Sequence, residues 1–320
     1  MKEFCLGMDT SCYTTSAALC CGEEYYQKRR LLDVELGQRG LRQSEAVFQH
    51  VNHMPALWEA LRREHPDAVI GAVCASTRPR PRDGSYMPVF TAGEGFARCV
   101  AAALGVPFFE TSHQEGHIRA ARTGLSIPQG PMLAVHLSGG TTEVVYTDGE
   151  RFDIVGKTLD ISAGQLIDRV GVALGLSFPA GPEMERLARE GEAASKLSVR
   201  VKNGECSLSG AEAETIRMRE AGAGKEDVAA EVFSCVARTL CKMLTQTGEA
   251  TGARHALLAG GVAGSMHLRG LLQARLKRAG SDLKIYWADP ALAGDNAVGV
   301  AEIGYEKMMG LRTQGGKEKI

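Results

Sequence analysis

Two stretches of this chain, about 130 residues apart, repeat one arrangement: an apolar strand, a turn of small polar or glycine residues, and a second apolar strand. In the first, Phe4 to Asp9 and Ser16 to Cys21 flank the polar residues Thr10 to Thr15. In the second, Leu133 to Ser138 and Glu143 to Tyr146 flank Gly139-Gly140-Thr141-Thr142. A chain that opens twice in the same way predicts two related lobes, and Gly and Pro cluster between Thr123 and Gly130, where the boundary belongs. At 320 residues there is room for both.

The remaining periodicity fits an α/β protein. Apolar residues Val47, Val51, Met54, Leu57, Trp58 and Leu61 recur at helical spacing between Ser44 and Arg63, with Pro55 predicting a kink or break. Strands are expected at Ala68 to Ser76, Ala256 to Leu258 and Leu283 to Trp287, and helices at Gly93 to Leu104, Val228 to Leu244 and Met266 to Lys277. The expected lobes are 1–125 and 126–294, with a helix near 295–310 packing back on the first and a frayed polar tail over 311–320.

Composition narrows the function. Lys plus Arg number 37 against 38 Asp plus Glu, which excludes a globally basic surface that holds nucleic acid by charge alone, so any RNA contact is local. The nine cysteines are scattered, with no C-x-x-C pair and no leader ahead of Cys5, and read as reduced thiols of a cytoplasmic protein. The longest nearly uncharged apolar run, Cys99 to Phe109, is too short to span a bilayer.

Three turns at strand ends can face an anion: Asp9 to Ser16, Ser138 to Thr142, and Ala259-Gly260-Gly261-Val262-Ala263-Gly264-Ser265 ahead of a helix. Each alone has an ordinary reading as a polar or glycine turn; together they favour a nucleotide cleft. His113 and His117 are four apart, so on a helix both imidazoles share a face, and Asp295 in Gly294-Asp295-Asn296 is a candidate third metal ligand. His136, His255 and His267 have no such pairing and read as structural. Arg78, Arg80 and Arg82, held extended by Pro79 and Pro81, can grip RNA phosphates or an acidic partner, or form a solvated loop.

Taken in order, these motifs resemble the family of tRNA threonylcarbamoyladenosine transferases, long called O-sialoglycoprotein endopeptidases, from Leu6 to about Tyr305. Its marks are Asp9-Thr10-Ser11-Cys12, Arg42-Gln43-Ser44-Glu45 to His50, and His113-Gln114-Glu115-Gly116-His117. Ser138-Gly139-Gly140, Gly164 to Leu176 with Asp168, Ala180-Gly181-Pro182, Ser207 to Gly210, Gly260 to Ala263 and Asp295-Asn296-Ala297 complete the set. The resemblance implies an α/β, two-lobed actin-like fold, that of sugar kinases and heat-shock ATPases, with its site in the interlobe cleft.

It further implies that His113, His117 and Asp295 hold one divalent ion, iron or zinc. Leu137, Ser138, Gly139, Gly140, Thr141, Asp168, Gly181, Glu185 and Ser265 would contact threonylcarbamoyl-adenylate, with Asp9, Ser11 and Thr141 in catalysis. The implied reaction carries the threonylcarbamoyl group to N6 of adenosine 37 in tRNAs reading codons that begin with A. Implied partners are tRNA, a related pseudo-enzyme subunit and a small ATPase, with the helix from Ser44 a docking element or simply packed on its own lobe.

This chain departs from the pattern at defined places. Tyr13 and Thr14 stand where the family usually has two acids, Thr141 replaces a His, Ser265 replaces an Asn, and Arg78 to Phe90 replaces a Gly-Pro-Gly-Leu turn. The chain therefore reads as a divergent paralogue, either still a transferase or a nucleotide- and metal-binding partner protein that has lost the transfer step. A zinc peptidase is disfavoured because the position after His113 is Gln114 and Glu115 comes one residue late for a general base. A sugar or acetate kinase of the same fold would leave the histidine pair without a purpose.

Overall fold

The computed structural model describes every residue except 1, 12, 23, 34–40, 150, 195–196 and 316–320. Cys12 and the end of the expected tail lie outside the described residues. In chain order the elements are β1 (Glu3–Thr10), β2 (Thr14–Cys21), β3 (Glu24–Leu31), α1 (Gln43–Glu64), β4 (Val69–Arg78), α2 (Phe90–Leu104), β5 (Phe108–Ser112) and α3 (His113–Arg122). There follow β6 (Met132–Leu137), β7 (Thr142–Thr147), β8 (Phe152–Thr158), α4 (Ala163–Ala173), α5 (Gly181–Glu190), β9 (Arg200–Lys202), β10 (Glu205–Ser207) and α6 (Ser209–Glu220). The chain ends with α7 (Lys225–Thr251), β11 (His255–Ala259), a 3-10 turn (Val262–Gly264), α8 (Met266–Arg278), β12 (Lys284–Trp287) and α9 (Val298–Gly315).

Two compact units result, Met1–Gly124 with Ala291–Ile320, and Leu125–Pro290. The first holds a five-stranded sheet in the order β3-β2-β1-β4-β5, antiparallel from β3 to β1 and parallel from β1 to β5. Alternate residues of β1 point to opposite faces, and both faces are covered. Phe4, Leu6 and Met8 pack with Met54 and Leu61 of α1 and with Ala97 and Ala101 of α2. Cys5 meets Val300 and Met308 of α9 on the other side. Strand β1 is thus the buried spine of the unit, and its C-terminal end carries Asp9.

The second unit holds a seven-stranded sheet in the order β12-β11-β6-β7-β8-β10-β9. Leu133, Val135 and Leu137 of β6 face a core shared with Leu166 and Val170 of α4, Met184 of α5 and Phe233 of α7. Helix α7 is buried on nearly all sides from Val228 to Leu240 and runs on to Thr251, past the amphipathic stretch visible in sequence, ending at Gly252 in the left-handed conformation.

Some expectations are corrected. Helix α1 continues through Pro55 without a break, its buried side fixed by Ala46, His50, His53, Met54 and Leu61, so packing outweighs the lost N–H. Val51, expected on the apolar face, is exposed beside Phe48. Helix α9 extends to Gly315, so the first part of the supposed tail is helical. The eight described cysteines are free thiols. Among the described residues no helix is long and apolar enough to cross a membrane.

Candidate metal centre and nucleotide pocket

Helix α3 starts where a capping box dictates. The Ser112 hydroxyl accepts from the Glu115 N–H at 3.2 Å, and the Glu115 carboxylate accepts from the Ser112 N–H at 2.7 Å. Glu115 is therefore committed to the helix start. His113 and His117 then lie one turn apart, with their Nε2 atoms 2.9 Å from each other. Asp295 arrives from the loop ahead of α9, where the Asn296 side chain donates to Leu292 O and Gly294 O and accepts from the Val298 N–H.

The three side chains converge. Asp295 Oδ1 is 2.9 Å from His117 Nε2 and 3.6 Å from His113 Nε2, and one ligand atom from each residue lies within 4.8 Å of the others. Donor atoms on one ion at tetrahedral bonds of about 2.0–2.1 Å lie about 3.3–3.4 Å apart, a spacing that the triangle's sides of 2.9, 2.9 and 3.6 Å bracket. A ring of residues behind the ligands orients them. Asp9 Oδ1 accepts from His113 Nδ1 at 2.9 Å and from the Ser76 hydroxyl, which leaves the His113 Nε2 lone pair free to ligate. The Ser11 hydroxyl donates to Asp295 Oδ2 at 2.6 Å.

Electrostatics follow from this crowding. Burial disfavours the His113 imidazolium, but the carboxylates of Asp9 and Asp295 overcome it and raise its pKa well above the ordinary value. Burial likewise disfavours the Asp295 carboxylate, yet hydrogen bonds from His113 and His117 hold it far below the usual range. Asp9 Oδ2 is buried with no hydrogen-bond partner among the described residues. Two imidazoles, a carboxylate and an orphaned anionic oxygen behind them form a donor set that fits a divalent cation.

A second feature lies wholly in the second unit, a cavity of about 520 Å³ lined by Gly139, Asp168, Phe178, Gly181, Glu185, Phe233 and Ser265 among others. Asp168 accepts from the Ala180 N–H at 2.9 Å and so fixes the start of α5. Glu185 accepts from the His267 N–H at 2.9 Å, from Ser265 and from Arg189. Burial pushes the Glu185 pKa up, and those three donors bring it below the usual value. Gly260 sits at φ +101° where a Cβ would lie 2.3 Å from Leu137 O, so it serves the crossing of the chain; Gly261 lines the cavity.

The structure therefore brings together five of the nine residues expected to contact the adenylate: Gly139, Asp168, Gly181, Glu185 and Ser265. Leu137 is wholly buried in β6, its side chain in the core. Ser138 and Thr141 close the hairpin on each other, Ser138 N–H to Thr141 O at 2.9 Å and Thr141 N–H to Ser138 Oγ at 3.1 Å, and neither lines the cavity, nor does Gly140. Phe178 and Phe233 also line the cavity, and Phe178 falls between two of the motifs quoted above, just ahead of Ala180-Gly181-Pro182.

The first turn is also corrected. Its hydroxyls are buried and used internally: Thr10 donates to Val89 O, Ser11 to Asp295, Ser16 to Asp9 O, and Thr15 bonds to His50. They do not form an open anion cradle. The arginine loop is tied to the start of α3, where the Gln114 N–H donates to Pro79 O at 3.0 Å, and Arg78 faces Glu110. His255 bonds to the Tyr286 hydroxyl and His267 meets the Phe233 ring edge-on, both structural contacts.

Comparison with known proteins decides the family. Residues 44–302 match the tRNA N6-adenosine threonylcarbamoyltransferase family. The chain belongs to that family. It is 33% identical to a tRNA N6-adenosine threonylcarbamoyltransferase of Thermus thermophilus, covering 92% of this chain and 90% of the relative. It is 28% identical to that of an Acidovorax species, over 94% and 90%. The fold is the actin-like fold of sugar kinases and related ATPases. The activator of 2-hydroxyisocaproyl-CoA dehydratase from Clostridium difficile, with bound ADPNP, superimposes at TM-score 0.55 and 14% identity over 98% of each chain. A glucokinase from Streptomyces griseus, in complex with glucose and AMPPNP, does so at TM-score 0.55 and 12% identity over 95% of this chain and all of its own.

Against the pattern of the threonylcarbamoyltransferase family, the departures now have places. Tyr13 is 48% exposed and Thr14 is buried. Ser265 caps α8, accepting from the Leu268 N–H at 3.2 Å while bonding to Glu185, so its hydroxyl is already engaged. With Glu115 held in the capping box, the peptidase reading loses its base.

Proposed function

We propose that this protein transfers the threonylcarbamoyl group from threonylcarbamoyl-adenylate to N6 of adenosine 37 in tRNAs reading codons that begin with A. The observation that supports this most is the triangle of His113, His117 and Asp295 with its orienting partners Asp9 and Ser11, in a member of this family. Those three residues would hold a divalent ion, iron or zinc, which when bound would supply Lewis acidity towards the oxygens of the adenylate.

The adenosine portion suits the cavity beside Asp168, Glu185 and Phe178, and nucleotide-bound neighbours of the same fold support a nucleotide ligand. The N6 nitrogen attacks the carbamoyl carbonyl carbon, the bond from that carbon to the phosphate oxygen breaks, and AMP leaves with the electron pair. The proton shed by the amine passes to the departing phosphate or to water, because Tyr13 and Thr14 offer no carboxylate. The adenylate comes from a separate ATP-using synthase. Positioning then carries most of the rate.

The replacement of two acids by Tyr13 and Thr14 favours one second reading, a partner protein that binds nucleotide and metal without transfer. Purified protein supplied with threonylcarbamoyl-adenylate and unmodified tRNA separates the two. Modified tRNA, with a larger yield from Tyr13→Asp, is the expected result; adenylate binding with no transfer by either protein selects the partner reading.

A further inference from the structure

We propose that His50 is a positioning residue for the metal centre, acting through Ser11 on Asp295. The imidazole is wholly buried in α1 and lies between two groups of the first hairpin. Its Nε2 is 2.7 Å from Ser11 O and its Nδ1 is 2.8 Å from Thr15 Oγ1. A carbonyl oxygen only accepts, so Nε2 donates; in the neutral ring Nδ1 then accepts from the Thr15 hydroxyl, whose other imidazole neighbour, His53 Nδ1, is farther away at 3.4 Å. The neutral ring is thereby held in one tautomer.

The hydrogen bonds run in one direction. Thr15 donates to His50, His50 donates to the Ser11 carbonyl, and the Ser11 hydroxyl donates to Asp295 Oδ2 at 2.6 Å. The Ser11 hydroxyl has a competing acceptor in Thr14 O, but at 3.4 Å that contact is long. Pinning the Ser11 main chain from behind keeps its hydroxyl on Asp295 and leaves Asp295 Oδ1 turned to His117. Asp9 performs the matching task for His113, so each side of the ligand triangle has its own support.

The inference rests on the metal centre of the proposed function, and the test separates the two. Cobalt(II) is titrated into metal-free wild type and variants, its ligand-field absorption recorded, and zinc(II) affinity measured by competition with a chromophoric chelator. Thermal unfolding of the metal-free forms checks the fold. His50→Leu is expected to weaken both ions about tenfold or more and alter the cobalt spectrum, while His50→Gln, which keeps a donor for Ser11 O, stays within about threefold of wild type. Ser11→Ala is expected to show the same loss as His50→Leu, and combining the two to add nothing. If the leucine variant fails to fold, Thr15→Val, which frees the ring, is expected to lose affinity several-fold in the wild-type background and none in Ser11→Ala. Wild-type affinity in a folded His50→Leu or Thr15→Val, a glutamine variant no better than leucine, or additive losses would overturn the role of His50 alone. Wild type that takes up neither ion overturns the metal centre, and this proposal with it.

Discussion

His113 donates from Nδ1 to one oxygen of Asp9 at 2.9 Å, while the other oxygen of Asp9 is buried without a hydrogen-bond partner among the described residues. Near the end of strand β1 there is thus a carboxylate met, among the described residues, by one imidazole and the Ser76 hydroxyl. A carboxylate so placed is worth keeping where a cation balances it. Asp9→Asn is expected to lower zinc(II) or cobalt(II) affinity about 10–100-fold, because His113 loses the charge that fixes its tautomer. The metal-free variant is expected to unfold at a lower temperature than wild type near neutral pH, because the buried His113 imidazolium loses one of the carboxylates that stabilise it. Metal affinity unchanged in the variant would sink this account of Asp9.

The helix that carries His113 and His117 packs on α9 through a glycine between them, Gly116. A Cβ on Gly116 would lie 2.9 Å from Val300 Cγ2, and one on Gly299 would lie 2.0 Å from Gly116 O and 2.5 Å from Ala120 N. Helices α3 and α9 meet backbone to backbone here, beside the loop that delivers Asp295. Gly299→Ala is expected to destabilise the protein by about 3 kcal/mol or more, since neither backbone can give way. Gly95→Ala, on an open face of α2 where a Cβ meets nothing, is expected to stabilise by about 0.5–1 kcal/mol. Urea unfolding of the two variants checks the contrast, and equal effects would refute it.

This contrast shows what a single sequence can and cannot reveal. The His113 and His117 pair is visible because helical spacing is local, and the hairpins β1–β2 and β6–β7 are visible because strand alternation is local. Asp9 and Ser11 read as catalytic only through the family resemblance. Their contacts with His113 and Asp295 span 104 and 284 residues, a relation no local pattern encodes. For the same reason Pro55 reads as a kink or a break that tertiary packing overrides.

Phe178 stands on the rim of that cavity with 76% of its surface exposed. An aromatic ring this open contributes little to folding, and beside Asp168 and Glu185 it offers a face on which a purine can stack. Phe178→Ala is expected to change unfolding free energy by no more than about 0.5 kcal/mol. Affinity for AMP, measured calorimetrically, is expected to fall about tenfold, in line with the loss of one base-stacking contact. An unchanged AMP dissociation constant would remove Phe178 from the nucleotide site.

The buried imidazoles of α1 set a pH dependence whose sign follows from proton counting. Burial lowers the pKa of His50 and of His53, the latter with help from the charge of Arg30. Below the unfolded value of about 6.5 the unfolded chain binds protons that the folded chain refuses, so each imidazole makes stability fall as pH drops from about 6.5 towards its folded pKa. His113 acts in the opposite sense, which is why the difference between two proteins is the useful quantity. Urea unfolding of metal-free wild type and His50→Gln between pH 7.5 and 5.5 should give a shallower loss of stability on acidification for the variant. Parallel curves would mean that His50 takes up its proton as readily folded as unfolded, and the fixed neutral ring would have to be abandoned.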